Sequence, residues 1–216
     1  MENKLKLYVC KSIIFFMKTV YSFLLAFIFL WSCAQDKQPI QGETEFQRNL
    51  NAEFKDASRS PLKQKDRREF TGLDFFKFDS LYVVEATFTK SVDEKPFQMK
   101  TTTDRLPTYL KYGEVTFDLK GESYTLNVYQ DQDLMNEDGF EDYLFLPFLD
   151  DTNGDETYGG GRYIDLSIPE GEVMTIDFNT AYNPYCAYDE KYSCPIVPRE
   201  NYVDAEVRAG VMAFKH

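Results

Sequence analysis

The side chains able to do chemistry crowd into one stretch, residues 153–201, which holds Arg162, Asp165, Asp177, Asn179, Tyr182, Asn183, Cys186 and Cys194. Arg162 opens a strand-like run after three glycines. Its planar, forked donor suits a carboxylate. That carboxylate belongs either to a ligand or to internal Asp165 or Asp177, since buried arginines are generally paired. Asp165 and Asp177 are the candidate catalytic residues. Two acids with pKa values pushed apart by their surroundings can divide acid and base roles, and a hairpin joining residues 162–168 to 173–178 would bring them close. Asn179, Tyr182 and Asn183 offer polar contacts to a ligand, or else bond loop backbone where a ladder is missing. The single histidine is His216. Ser-His and Cys-His triads therefore lack their base in the body of the chain.

Seven residues separate Cys186 from Cys194. In an oxidising compartment the expectation is a disulfide, worth roughly 2–3 kcal/mol for so short a loop. The alternative is two buried thiols. Structural zinc needs further soft ligands that the chain lacks, and no metal or cofactor is expected. Asp151, Asn153 and Asp155 alternate as in a calcium loop, but the glycine precedes Asp155 and Arg162 stands where the closing glutamate belongs. Residues 150–156 therefore read as a solvated turn. The run Gly159-Gly160-Gly161 precedes a strand pattern, whereas a phosphate-binding loop precedes a helix. Its glycines are expected to supply a φ > 0 turn or a bulge.

The first 32 residues read as a targeting segment. Lys4, Lys6, Lys11 and Lys18 form a basic region, and residues 20–31 an apolar run too short to span a bilayer comfortably. Met17 is an alternative start. Leu30-Trp31-Ser32-Cys33 resembles a bacterial lipoprotein box, with Cys33 as the lipidated residue, and residues 33–42 as a flexible tether. The expected location is the cell envelope, with the body lipid-anchored and facing the periplasm or exterior. The leader's four lysines and one glutamate give it +3, so the whole-chain charge of -12 leaves -15 on the remainder. So acidic a body repels nucleic acid and anionic headgroups. The membrane is expected as a partner only through the lipid, beside a possible small anionic ligand.

The elements that must position these groups read mainly as β. Residues 43–57 form an amphipathic helix, with Phe46, Leu50 and Phe54 on one face and Arg48, Glu53, Lys55 and Asp56 toward water. Residues 63–69 read as a charged loop. Strand patterns cover residues 81–89, 97–103, 109–119, 123–129, 143–148, 162–168, 173–178 and 202–208. Lys120-Gly121-Glu122 marks one hairpin and Pro169-Glu170-Gly171 a second. The expectation for residues 43–216 is a single β-rich domain, an antiparallel barrel or sandwich with an N-terminal helix.

Thr157-Tyr158, Gly161-Arg162-Tyr163, Asp177-Phe178-Asn179, Ala181-Tyr182-Asn183-Pro184, Cys186-Ala187, Cys194-Pro195 and Glu200-Asn201 follow in order. Over this C-terminal third the chain resembles the bacterial family known as domain of unknown function 1684. Ser60-Pro61-Leu62 and Gly72-Leu73 extend the resemblance upstream. Val197 stands where the family tends to carry proline, and Val211 where an acidic residue is usual. The family carries no activity to transfer. The functional expectation is a small-ligand-binding or structural envelope lipoprotein with a polar site around Arg162. The alternative is a hydrolase with Asp165 and Asp177 as acid and base and Arg162 on an anionic substrate.

Lipidation has a direct check. Cys33→Ser should move the protein from the membrane to the soluble fraction on cell fractionation; unchanged membrane association would refute the anchor.

Overall fold

The structure is a computed structural model describing residues 42–215; the expected signal peptide, Cys33 and all but the last residue of the expected tether lie outside the described residues. Its centre is a hairpin of β3 (Thr108–Leu119) and β4 (Glu122–Asp131). The connection is two residues, Lys120 and Gly121, at φ 53° and 90°. Positive φ at both positions gives the turn the twist that matches right-handed strands.

The other strands are β1 (Val83–Lys90), β2 (Phe97–Gln98), β5 (Tyr143–Asp150), β6 (Arg162–Ser167), β7 (Val173–Asp177) and β8 (Tyr202–Val203). They form one sheet in the order β6-β5-β4-β3-β1-β7, with β2 beside β3 and β8 beside β5. All pairings are antiparallel except β5 with β8. The sheet curls into a half-barrel, so the mainly β, antiparallel expectation holds.

The concave face packs a large core that includes Phe88, Val115, Phe117, Leu126, Val128, Leu144, Leu146, Phe148, Ile164, Ile176 and Phe178. The opposite face carries Met99, Tyr109, Tyr129, Phe145, Tyr163 and Val197. Tyr109 and Val115 are six residues apart on one strand and would share a face under strict alternation. A bulge between Lys111 and Gly113 inserts Tyr112 and reverses the phase. That extra residue aims Tyr109 outward while Val115 faces the core. Gly113 is required there, because a Cβ would meet the Phe88 ring at 2.5 Å and Thr89 O at 2.7 Å.

Helix α1 (Glu45–Lys55) starts at a capping box in which Thr44 and Gln47 satisfy each other's backbone N–H groups. Phe46, Leu50 and Phe54 pack on a second cluster with Leu73, Phe75, Tyr188 and Val211, as the spacing of four implied. The charged stretch read as a loop is a short helix, α2 (Gln64–Glu69), all of whose residues keep contact with water. It has no apolar stripe for periodicity to detect.

Two expectations are corrected. Residues 162–168 and 173–178 do not form a hairpin: β6 pairs with β5, β7 pairs with β1, and the two stand at opposite ends of the sheet. The final strand is also shorter than its alternation implied, since only Tyr202–Val203 pair with β5. Beyond them the backbone bonds to side chains: the carbonyls of Val207 and Ala209 accept from Arg162, and the Val207 N–H donates to Asp150.

Candidate functional site

Arg162 sits at the start of β6 because Gly161 before it has φ 88° and lies against Phe148 O and Val197, where a Cβ would come within 2.6 and 2.7 Å. The guanidinium is fully buried. It donates to Asp150 Oδ1 at 3.1 Å, Val207 O at 2.8 Å and Ala209 O, and lies 5.2 Å from the Phe148 ring centroid. Burial pushes its pKa down and the Asp150 carboxylate opposes that shift. Asp150 is equally enclosed, accepting from Thr152 N–H, Thr152 Oγ1, Val207 N–H and Asn153 Nδ2 as well. The expected ligand-binding role of Arg162 gives way to an internal pair, and its partner is neither Asp165 nor Asp177. The turn read as solvated supplies that partner.

The two candidate catalytic acids do not meet. Asp165 lies on β6, and its Oδ1 accepts from Tyr143 at 2.8 Å and Tyr182 at 2.6 Å. Asp177 ends β7 at the far end of the sheet, and its Oδ1 accepts from the Asn179 N–H and Nδ2. Asn179 is buried and clamps Asp79 through both backbone groups, at 3.0 Å each. It therefore ties a loop down and does not line the cavity described next. The acid-base geometry of the hydrolase reading is absent because the hairpin it required is absent.

A cavity of about 550 Å³ does gather some of the expected residues. Helix α1 contributes Phe46, Leu50 and Glu53; the outer face of the sheet contributes Tyr143, Tyr163 and Asp165; the loop after β7 contributes Tyr182, Asn183 and Tyr185. Tyr182 is placed there by an isolated antiparallel bridge to Tyr163. Asn183 is buried, donates to Met212 O at 2.9 Å, and has no partner for its Oδ1 among the described residues. Glu53, expected to face water, accepts from Tyr185 OH at 2.7 Å on the cavity wall. Helical periodicity placed it on the polar face, and only the docking of the loop reveals the contact.

Burial drives the hydroxyls of Tyr143, Tyr163, Tyr182 and Tyr185 above their ordinary pKa. Neighbouring carboxylates add to this for Tyr143, Tyr182 and Tyr185, and thiol charge for Tyr163. All four remain neutral donors across the physiological range. Asp165 itself is exposed to solvent, so the floor of the site is an accessible carboxylate held by two phenols. Among the described residues no group of three or more His, Cys, Asp or Glu could hold a metal.

Cys186 and Cys194 come together as their spacing suggested; a disulfide is the expectation from sequence, and in this structure both are free cysteines. The 3₁₀ turn Tyr185–Ala187 points the Cys186 N–H at Cys194 Sγ, 3.1 Å away. A thiol hydrogen bond from Cys194 pulls Cys186 down to about 6, with Tyr158 OH assisting at 3.8 Å. The same bond, with burial, drives Cys194 up.

Two measurements check these assignments. Arg162→Ala should lower unfolding free energy in urea by about 3–5 kcal/mol, because Asp150 is left charged and buried. A loss under about 1 kcal/mol would mean the pair anchors nothing. Alkylation of Cys186 by iodoacetamide should rise with a midpoint near pH 6, since the thiolate is the reactive form. In Cys194→Ala the midpoint should move up toward the ordinary thiol value; an unmoved midpoint would show that Cys194 does not hold the thiolate.

A search of the curated proteins finds no match. Among solved structures, the solution NMR structure of an uncharacterized protein of Haloarcula marismortui superimposes with a TM-score of 0.61 at 35% identity, over 76% of this chain and 89% of that one. The family model described as "Protein of unknown function (DUF1684)" matches residues 68–212, from α2 through the segment that closes over Arg162. The chain belongs to this family of proteins of unknown function.

Proposed function

We propose that the protein is an envelope lipoprotein whose body binds a small ligand in the cavity between α1, the outer face of β5 and β6, and the loop after β7. The anchoring half of this reading rests on the residues around Cys33. The observation that carries the binding half is the placement of Asp165: a solvent-reached carboxylate, steadied by Tyr143 and Tyr182, at the wall of a cavity of about 550 Å³. Aromatic walls with a few convergent polar groups are the usual make-up of a small-molecule site, at volumes of roughly 300–1,000 Å³. The polar site thus moves from Arg162 to Asp165, Tyr182 and Asn183.

Ligand-dependent melting tests the reading. A ligand at 100 times its Kd stabilises the folded state by about 2.7 kcal/mol, a shift readable in Tm. Asn49 is exposed on α1 and lines the cavity. Asn49→Trp should fill the space and abolish the shift while leaving the unliganded Tm within a few degrees. Compounds that stabilise wild type and Asn49→Trp equally would place binding elsewhere, and a screen with no hits would speak for a structural role.

A further inference from the structure

Building on the cavity reading, we propose that its ligand is an organic cation: a small ammonium compound with an apolar body and N–H groups on its charged head. Charge balance is the first support. Two carboxylates, Asp165 and Glu53, line the cavity, and none of its lining residues is lysine, arginine or histidine. Lys191, whose ammonium rests 4.9 Å over the Tyr192 ring, is paired with Asp189 at 3.1 Å and points its charge there.

The hydrogen bonding of the acids is the second support. Each is held through one oxygen only: Asp165 Oδ1 takes both tyrosine hydroxyls, and Glu53 Oε1 takes Tyr185 OH. Asp165 Oδ2 and Glu53 Oε2 have no hydrogen bond among the described residues. Neutral phenols orient the acids without cancelling their charge, leaving acceptors for a cationic donor. An anionic ligand would meet like charge from both.

The walls are the third support. Nine of the nineteen lining residues are phenylalanine or tyrosine. Aromatic faces carry negative potential and attract cations, and more strongly where water is displaced. The same rings also bury the apolar body of the ligand. An anionic ligand, the possible partner the sequence suggested, depended on Arg162, which is sealed on the other face of β6.

The test is calorimetric titration of the full-length protein with three probes of nearly equal shape: phenethylammonium, 2-phenylethanol and phenylacetate. At low salt phenethylammonium should bind at least about tenfold tighter than 2-phenylethanol, with phenylacetate the weakest. Added salt should shrink the preference. Asp165→Asn should cut that preference, read as the ratio of the two affinities in the same variant, to about threefold or less. Glu53→Gln, on the α1 side of the cavity, gives a second reading should Asp165→Asn fail to fold. Equal binding of the amine and the alcohol, or preference for the acid, would overturn the cationic class yet keep the cavity as a binding site. Absence of heat from all three probes would overturn both.

Discussion

The structure depends on keeping Arg162 and Asp150 charged with neither touching water. Each buried ion loses several kcal/mol of hydration, and mutual attraction restores this only if the remaining donors and acceptors are also met. Here the C-terminal segment meets them. Val207 and Ala209 offer carbonyls to the guanidinium, while Val207 N–H, Thr152 and Asn153 serve the carboxylate. The exchange works both ways, because the segment after β8 has left the sheet and would otherwise bury bare backbone groups. One ion pair therefore replaces a strand ladder and holds residues 203–211 over the mouth of the half-barrel core. Arg162 Nε, which has no partner among the described residues, is the remaining cost of the arrangement.

Because the pair is satisfied on the concave side, β6 is free to use its other face. Arg162 and Ile164 point into the core, and Tyr163 and Asp165 point outward. Asp165 then reaches Tyr143 on the neighbouring strand and Tyr182 on the returning loop. The bulge in β3 extends this outward face by turning Tyr109 onto it, where its ring lies 5.8 Å from Phe145. An aromatic layer so formed is too large for β5 and β6 to cover alone. Helix α1 closes it from one side and the loop after β7 from the other, and the cavity is the space left between them. The Cys186 and Cys194 loop belongs to that closing wall: Thr102 N–H donates to Cys194 O, and Tyr163 OH donates to Pro195 O. Cys194 itself lines the cavity, so chemistry at sulfur and the shape of the cavity share one piece of backbone.

Much of this was legible beforehand. The central hairpin, the buried run of β5 and the Phe46, Leu50, Phe54 stripe are local patterns, set by alternation, by a two-residue turn and by a repeat of four. The family resemblance, carried by motifs in the C-terminal third, holds, and the family match extends over residues 68–212. What misled was adjacency. Residues 162–168 and 173–178 look like a hairpin because a Pro-Glu-Gly turn joins them, yet each is better buried beside another strand. Asp165 and Asp177 were drawn together on that assumption and part with it. Asp150 opens an acidic run, and acidic runs are usually hydrated, so its burial beside Arg162 is not readable from local sequence.

Sequence alone thus determined where the long strands of the central hairpin and of β5 run and which face of the helix is apolar. Those facts depend on neighbours within a few positions. Tertiary structure alone decided that Arg162 pairs with Asp150 and is lost to ligands, that Glu53 belongs to a cavity wall, and that the backbone N–H of Cys186 points at the sulfur of Cys194. Each of these turns on contacts between segments far apart in the chain, where burial, not local propensity, chooses the partner of a charge.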